Sequence, residues 1–353
     1  MPLSSSPIWP GVPAALASAL LFGASTPAAK LLLGAVDPWL LAAFLYLGAG
    51  LGLLMLQTGR RLGGAEPAEA PLRRADLPWL AAMVAVGGIA GPVLLMLGLT
   101  RSEASSAALL LNLEGLATMA IAWLWLREGV DRRLLLGAVA ILAGAVVLSW
   151  RGAVGGGWGM LLIAGACLAW GIDNNLTRKL SSADPVRIAT IKGIVAGSVD
   201  LALALVQGAA LPAAALVLVA ALIGLFGYGI SLALYVMALR HLGAARAGAY
   251  FSTAPFVGAV VAVVLLGEPL SPQLVLAGGL MALGVWLHLT ERHEHWHEHE
   301  ALVHEHAHIH DEHHRHAHGP DAPPGEPHSH PHRHEPLRHK HPHFPDLHHR
   351  HTH

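Results

Sequence analysis

The sequence predicts an all-α integral membrane protein: ten transmembrane helices arranged as two inverted five-helix repeats, followed by a disordered, histidine-rich cytoplasmic tail. Three observations predict it. Of 353 residues, 54% are hydrophobic and 13% charged, with a mean hydropathy of +0.51, far from the balance of a soluble domain. The apolar residues fall in long blocks, such as Leu134–Trp150 and Leu211–Leu239, close to the roughly 20 residues that cross the hydrocarbon layer as a helix. One ending is also written twice: AWLWLREGVDRR stops on Glu128, and VAVVLLGEPLSP stops on Glu268.

Glycine, proline and charged residues set the boundaries of each span. The first, Trp9–Leu33, ends at Gly34, and Asp37-Pro38 opens the second, Trp39–Thr58, which stops before Arg60 and Arg61. Leu77–Leu97 lies between Arg74 and Arg101, and Ser102–Leu126 runs up to Arg127-Glu128. Arg133–Trp150 closes the first half against a glycine run. The second half repeats the plan with Gly159–Leu180, Arg187–Gln207, Ala213–Leu239, Ala245–Leu266 and Gln273–Thr290. The expected units are residues 9–150, 158–290 and a tail from 291 to 353.

Basic residues stay on the cytoplasmic side and so fix orientation. With the N-terminus inside, the inner loops carry Arg60, Arg61, Arg73, Arg74, Arg127, Arg132, Arg133, Arg178, Lys179, Arg187, Arg240 and Arg246; the outer ones carry Lys30, Arg101 and Arg151. Both termini are therefore expected in the cytoplasm of a multi-pass protein of the cytoplasmic membrane. The N-terminus lacks the pattern of a cleaved signal, so the first span is expected to stay as an anchor.

Shifting the second half back by 140 positions lays Leu239–Leu289 over Leu99–Ser149 without a gap, so that Glu268 falls on Glu128 and Gly284 on Gly144. Earlier in each half, Phe22-Gly23 matches Trp170-Gly171 and Asp37-Pro38 matches Asp184-Pro185. A unit with an odd number of spans must enter the membrane upside down when it is repeated. The loops agree: the arginine-rich stretch 59–76 corresponds to 208–212, which has no basic residue. Inverted repeats that enclose a midplane site are the plan of many secondary transporters.

Composition excludes other classes. The formal net charge of -1 includes no basic stripe for nucleic acid. Cys167, the only cysteine, forms no disulfide framework within one chain. No nucleophile motif, HExxH, P-loop or dinucleotide fingerprint occurs, so no catalytic residue, enzymatic activity or required cofactor is expected.

The pattern resembles the drug/metabolite transporter superfamily, specifically the ten-helix type with two EamA domains. The residues that carry the resemblance are Phe22-Gly23, Trp170-Gly171, Leu126-Arg127-Glu128, Leu266-Gly267-Glu268, Pro255, and Gln273 before a glycine-rich last span. The resemblance covers about Val12 to Leu289 and implies movement of small organic solutes, often driven by an ion or exchange gradient. Two positions depart from the family's pattern. Its basic residue after the proline of the second span is Lys192 in one half but Leu45 in the other, and Gly115 stands where the second half has Pro255.

Charged side chains at bilayer depth cost roughly 2.5–3.5 kcal/mol on insertion scales and call for a partner or a wet cavity. Glu114 with Asn112, Asp173 with Asn174, and Lys192 are expected around a polar cavity, with Trp170 and Tyr250 deep enough to line it. Lys192 either attracts a carboxylate or pairs with an acid. Glu114 or Asp173 is the candidate carrier of a coupling proton, since protonation cancels a charge that is costly at depth. Asp200 is expected to reach the outer interface, and Glu128 and Glu268 to end their helices beside water.

After Thr290 the chain becomes rich in histidine and proline and holds almost all of the protein's 25 histidines, a composition that cannot build a core. If the last span continues as a helix, His293/His297, His295/His299, His304/His308 and His306/His310 face one another four residues apart. Imidazole suits zinc, nickel, cobalt and copper, the candidate metals of the tail. The favoured function is a secondary transporter of small organic solutes, more specifically an exporter. The alternatives are a divalent-metal exporter served by the tail and a membrane-anchored metal buffer.

Overall fold

The computed structural model describes residues 11–62, 72, 74–126, 132–150, 157–177, 184–242 and 244–290 of the body, and 294–299, 303–308, 328–333 and 337–342 of the tail. The body is all-helical. Span one is α1 (Gly11–Leu32) and span two α2 (Pro38–Leu62). Span three combines α3 (Leu77–Met83), a π-helical stretch Val84–Ala90 and α4 (Gly91–Leu99); span four is broken into α5 (Ala104–Leu110) and α6 (Asn112–Leu126). Spans five, six and seven are α7 (Arg132–Ser149), α8 (Gly157–Thr177) and α9 (Pro185–Val206).

The second half repeats these irregularities. Span eight is α10 (Ala214–Gly224), a π-helical stretch Leu225–Ile230 and α11 (Ser231–Leu242); span nine is broken into α12 (Ala244–Phe251) and α13 (Ala254–Leu266); span ten is α14 (Pro272–Leu289). Local sequence explains both kinds of interruption. Each π stretch carries two glycines, Gly87-Gly88 and Gly227 with Gly229, and π bulges gather where a helix must open its ladder. Pro255 starts α13 just after the break at Ser252-Thr253, where the missing N–H of proline is tolerated.

Among the described residues, eight segments are long and apolar enough to cross a membrane by length and composition. Of the ten expected spans, six and nine are missing from that set. Span six carries Asp173, Asn174 and Asn175 near its end, and the break in span nine leaves the shorter apolar helix Ala254–Leu266.

Packing follows the inverted repeat. Spans related by the repeat face each other directly: α2 lies against α9, α7 against α14, and α5 against α13. The two first-type spans pack alike, each on the opposite half: α1 lies on α13 and α11, and α8 on α6 and α4. The twice-written aromatic-glycine pair has a packing role. A Cβ on Gly23 would meet the Ala254 carbonyl oxygen at 2.3 Å, and one on Gly171 would meet Ala117 Cβ at 2.7 Å, so each glycine seats its helix directly on the fourth-type span of its neighbour.

At α7 and α14 the correspondence reaches single bonds. Gln273 donates through Nε2 to the Val147 and Trp150 carbonyls, and Arg133, 140 positions earlier, donates through Nη1 to the Thr290 carbonyl at 3.1 Å. His288, near the end of span ten, stands 3.0 Å from the Leu134 carbonyl through Nε2. Large apolar side chains such as Leu51, Met55, Leu142 and Val264 are exposed around the body, as surfaces meeting lipid tails must be.

In the tail, Glu294–His299 (β1) pairs antiparallel with Leu337–Pro342 (β4), and Val303–His308 (β2) with His328–Arg333 (β3). The helical pairing expected for these histidines does not hold in the described segments. Their histidines alternate with other residues, and a period of two is the period of a strand. His295, His297, His299, His304, His306 and His308 fall in these strands, while His293 and His310 lie outside the described residues.

The tightest helix contacts give a test. A Cβ on Gly224 would lie 1.9 Å from the Leu45 carbonyl oxygen, whereas Gly279 has nothing within 4 Å. Gly224→Val is expected to lower the thermal midpoint of the detergent-solubilised protein by the equivalent of at least the ~1–3 kcal/mol of an overpacked core. Gly279→Ala should leave it unchanged in the same melt.

Candidate functional site

A cavity of about 240 Å³ opens between the two repeats. Its lining comes from spans one, two, four, six, seven, eight and nine, as expected for a site on the pseudo-symmetry axis. Most of its lining residues lie at the midpoint of their spans or on the side of the arginine-bearing ends: Leu53 in α2, Asn174 in α8, Ala189 in α9 and Tyr235 in α11. Towards the opposite face the way is filled by Leu40, Leu41, Leu95, Leu99 and Leu110, all buried. This arrangement places the mouth of the cavity towards the arginine-rich side.

Two walls differ in chemistry. One is a run of aromatic rings, Tyr46, Tyr228, Phe22, Phe251 and Tyr235, joined by centroid distances of 5.9, 5.9, 5.3 and 4.8 Å in that order. The other carries Glu114, Trp170, Asp173, Asn174 and Lys192. Lys192 is ion-paired with Asp173 Oδ2, with side-chain exposures of 15% and 7%. At that burial the pair is mutually required, because a lone charge in the interior is heavily penalised. Glu114 has no cation of its own among these bonds: Asn174 donates through Nδ2 to its Oε1 at 3.0 Å and to Thr118 Oγ at 3.2 Å. Among Glu114, Asp173 and Lys192, the lining holds two carboxyl groups and one cation.

The π stretch of span three is what positions this wall. A π turn leaves a backbone carbonyl without its usual partner, and the Gly87 carbonyl accepts from both Tyr46 Oη and Trp170 Nε1, each at 3.0 Å. The absence of a side chain at Gly87 makes room for the ion pair: a Cβ there would lie 2.4 Å from Asp173 Oδ2. At Gly88 it lets α9 approach, since a Cβ there would meet Ala196 Cβ at 2.8 Å.

Of the residues expected at the site, Glu114, Trp170, Asp173, Asn174 and Lys192 line the cavity, and Asn112 and Tyr250 do not. Asn112 is buried at the break in span four and donates through Nδ2 to the Leu109 carbonyl at 2.8 Å. The interrupted helix leaves that carbonyl to be satisfied, so the side chain serves its own backbone. Tyr250 packs against Ala14, Ala15, Ala238 and Ala247 beyond the aromatic wall. Asp200 does not reach the outer interface: it is fully buried, and neither carboxylate oxygen has a hydrogen-bond partner among the described residues. The histidines expected as metal ligands are confined to the tail, and no group of three His, Cys, Asp or Glu among the described residues is placed to hold a metal. Sequence reasoning missed Phe22, Tyr46, Tyr228, Ser231, Tyr235 and Phe251 as lining residues. Phe22 was flagged as half of a repeated pair, but its orientation is set by the Gly23 contact and cannot be read from periodicity.

The profile of the EamA-like transporter family matches residues 9–150 and 157–290. The chain belongs to the EamA-like transporter family. It is a multi-pass membrane transporter. An uncharacterized transporter of Methanothermobacter thermautotrophicus is 29% identical over 290 residues, spanning 77% of this chain and 84% of the relative. A protein of known crystal structure superposes with a TM-score of 0.58 at 20% identity, over 78% of this chain and 95% of the other, and shares the fold.

The ion pair makes a quantitative test. Asp173→Asn strands Lys192 in a buried wall and is expected to cost about 3–5 kcal/mol. The double variant Asp173→Asn/Lys192→Met removes both charges and should recover most of that loss, read as thermal midpoints of the purified protein.

Proposed function

We propose that this EamA-like transporter exports small amine-bearing organic solutes by alternating access, with both termini in the cytoplasm. The observation that carries the reading is a cavity between oppositely threaded repeats whose lining leans to the arginine-rich side, with an aromatic wall facing a wall on which two carboxyl groups meet one cation. The second carboxyl group supports a cationic substrate over an anionic one, because Lys192 is already engaged with Asp173. Glu114 would receive the ammonium group. The rings of Phe22, Tyr228, Tyr235 and Phe251 would enclose the organic body, and their faces attract cations by roughly 0.5–2 kcal/mol.

Coupling follows from the same carboxylate. An unneutralised charge at membrane depth resists transfer between faces, so Glu114 would reorient when carrying either an ammonium or a proton. Loading the amine from one side and the proton from the other makes the two fluxes exchange. The mouth lies on the arginine-rich side, and basic residues are retained in the cytoplasm, which supports loading from inside and hence export. No cofactor enters this scheme, and divalent metals on the tail histidines are assigned no part in it.

Reconstituted proteoliposomes with an imposed pH gradient test the reading against a panel of aromatic and aliphatic amines, amino acids and divalent metals. Amines are expected to move. Glu114→Gln should lower their flux at least about tenfold, the loss of roughly 1.4 kcal/mol or more of binding, with unchanged membrane abundance. Undiminished amine flux in that variant would remove Glu114 from the mechanism. Deleting residues 291–353 should leave amine flux intact; loss of metal movement on deletion would instead favour the alternative of a divalent-metal exporter.

A further inference from the structure

The turn joining spans three and four, residues 99–105, lies at the arginine-poor face and is held by charged side chains from two other spans. Lys30, in the last turn of α1, donates through Nζ to the Leu99 carbonyl and, at 2.8 Å, to the Ser102 carbonyl. Glu268, just past the end of α13, accepts from Ala104 N–H through Oε1 at 2.6 Å and from Ser105 N–H through Oε2 at 2.8 Å. Both signs suit the backbone they meet: the cation sits on carbonyls at the end of α4, the anion on amides at the start of α5.

A helix start is ordinarily capped by the residue before it. Here Glu103 occupies that position and makes no side-chain cap bond, and the cap arrives from a residue about 160 positions away in sequence. Gly267 makes this reach possible. It ends α13 at φ 66°, in the left-handed region, so the chain turns off the helix axis immediately before Glu268. Glu268 and Glu103 also lie near enough to Lys30 to interact with it electrostatically. Anion, cation and turn thus form one cluster tying α1, α4, α5 and α13 together at the closed end of the cavity.

We propose that Lys30 and Glu268 form an ionic latch that seals the face opposite the cavity mouth and must release before the cavity opens there. A local cap would follow α5 wherever it moved. A cap supplied from α13 holds only while α13 and α5 keep their present distance, and the same is true of the Lys30 bonds between α1 and the 99–105 turn. The bonds are at the rim, where water replaces them once the helices part, so release does not strand bare groups in hydrocarbon. The sequence writes like charges at the equivalent positions of the other face, Arg178 for Lys30 and Glu128 for Glu268; both lie outside the described residues. The proposal rests on the alternating-access reading above.

The test reads accessibility and needs no known substrate. In a Cys167→Ser background, Ala49→Cys or Phe22→Cys places a thiol in the cavity lining, and a membrane-impermeant maleimide is applied from each face in right-side-out and inverted vesicles. Glu268→Gln and Lys30→Met, made separately, are each expected to raise labelling from the arginine-poor face roughly fivefold or more, the usual size of a coupling between two states, and to slow labelling from the other. Glu268→Asp should fall between. Unchanged rates in both variants, in a parent that labels from both faces, overturn the latch and leave alternating access standing. Absence of labelling from the arginine-poor face in every variant overturns both.

Discussion

Hydrocarbon offers no partner to a backbone N–H or carbonyl, so every peptide group at membrane depth must be satisfied within its own helix or by a neighbouring one. That constraint makes the body helical and limits where the helices can be interrupted. The π stretch Val84–Ala90 is one such place. Its freed Gly87 carbonyl takes hydrogen bonds from Tyr46 and Trp170, and that exchange fixes the wall on which the Asp173–Lys192 pair rests. The break between α5 and α6 is another, and there Asn112 supplies the missing donor. In these two places irregular backbone is satisfied by polar side chains, and two of them, Tyr46 and Trp170, end up at the cavity.

The second constraint is parity. Five spans per repeat put the second copy upside down, so equivalent helices meet antiparallel across an axis through the midplane. Symmetry of this kind produces a symmetric scaffold and leaves the side chains free to diverge. The scaffold stayed paired: Gly23 and Gly171 seat the same kind of contact, and Arg133 and Gln273 reach equivalent carbonyls. The site did not. Leu45 stands where the second half has Lys192, and Ser25, 148 positions before Asp173, stands where the second half has an acid. The Asp173–Lys192 pair therefore belongs to one half, whereas Glu114 comes from the other and the aromatic rings come from both. On the proposed reading, a solute in the cavity would meet aromatic rings on one flank and a carboxyl group on the other, an arrangement that suits an amphipathic cation.

The twice-written glutamate ending acquires two separate meanings from this geometry. Termination is local: Gly267 stops α13 because it adopts the left-handed conformation a helix C-terminus needs. The carboxylate that follows is not used locally at all. It crosses to the start of α5 in the other repeat, so a motif that reads as punctuation along the chain acts as a tie across the molecule.

Sequence alone determined the class of molecule, the inverted repeat and the ionisable residues within its apolar runs, and it set an expected direction for the spans. These are legible because each rests on a one-dimensional property: apolar length, basic residues counted in loops, or self-similarity at a fixed offset. Glu114, Asp173 and Lys192 stood out because charge in an apolar run is conspicuous wherever the helix points. Only the tertiary structure decided that Lys192 pairs with Asp173, that Asn112 and Tyr250 stand outside the cavity, that five aromatic rings form its second wall, and that the mouth lies on the arginine-rich side. Those outcomes depend on helix rotation about its own axis. In lipid, apolar residues are welcome on every side of a helix, so the hydrophobic pattern carries no record of which face turns inward. Close contacts at glycines set that rotation, and they exist only once both helices are in place.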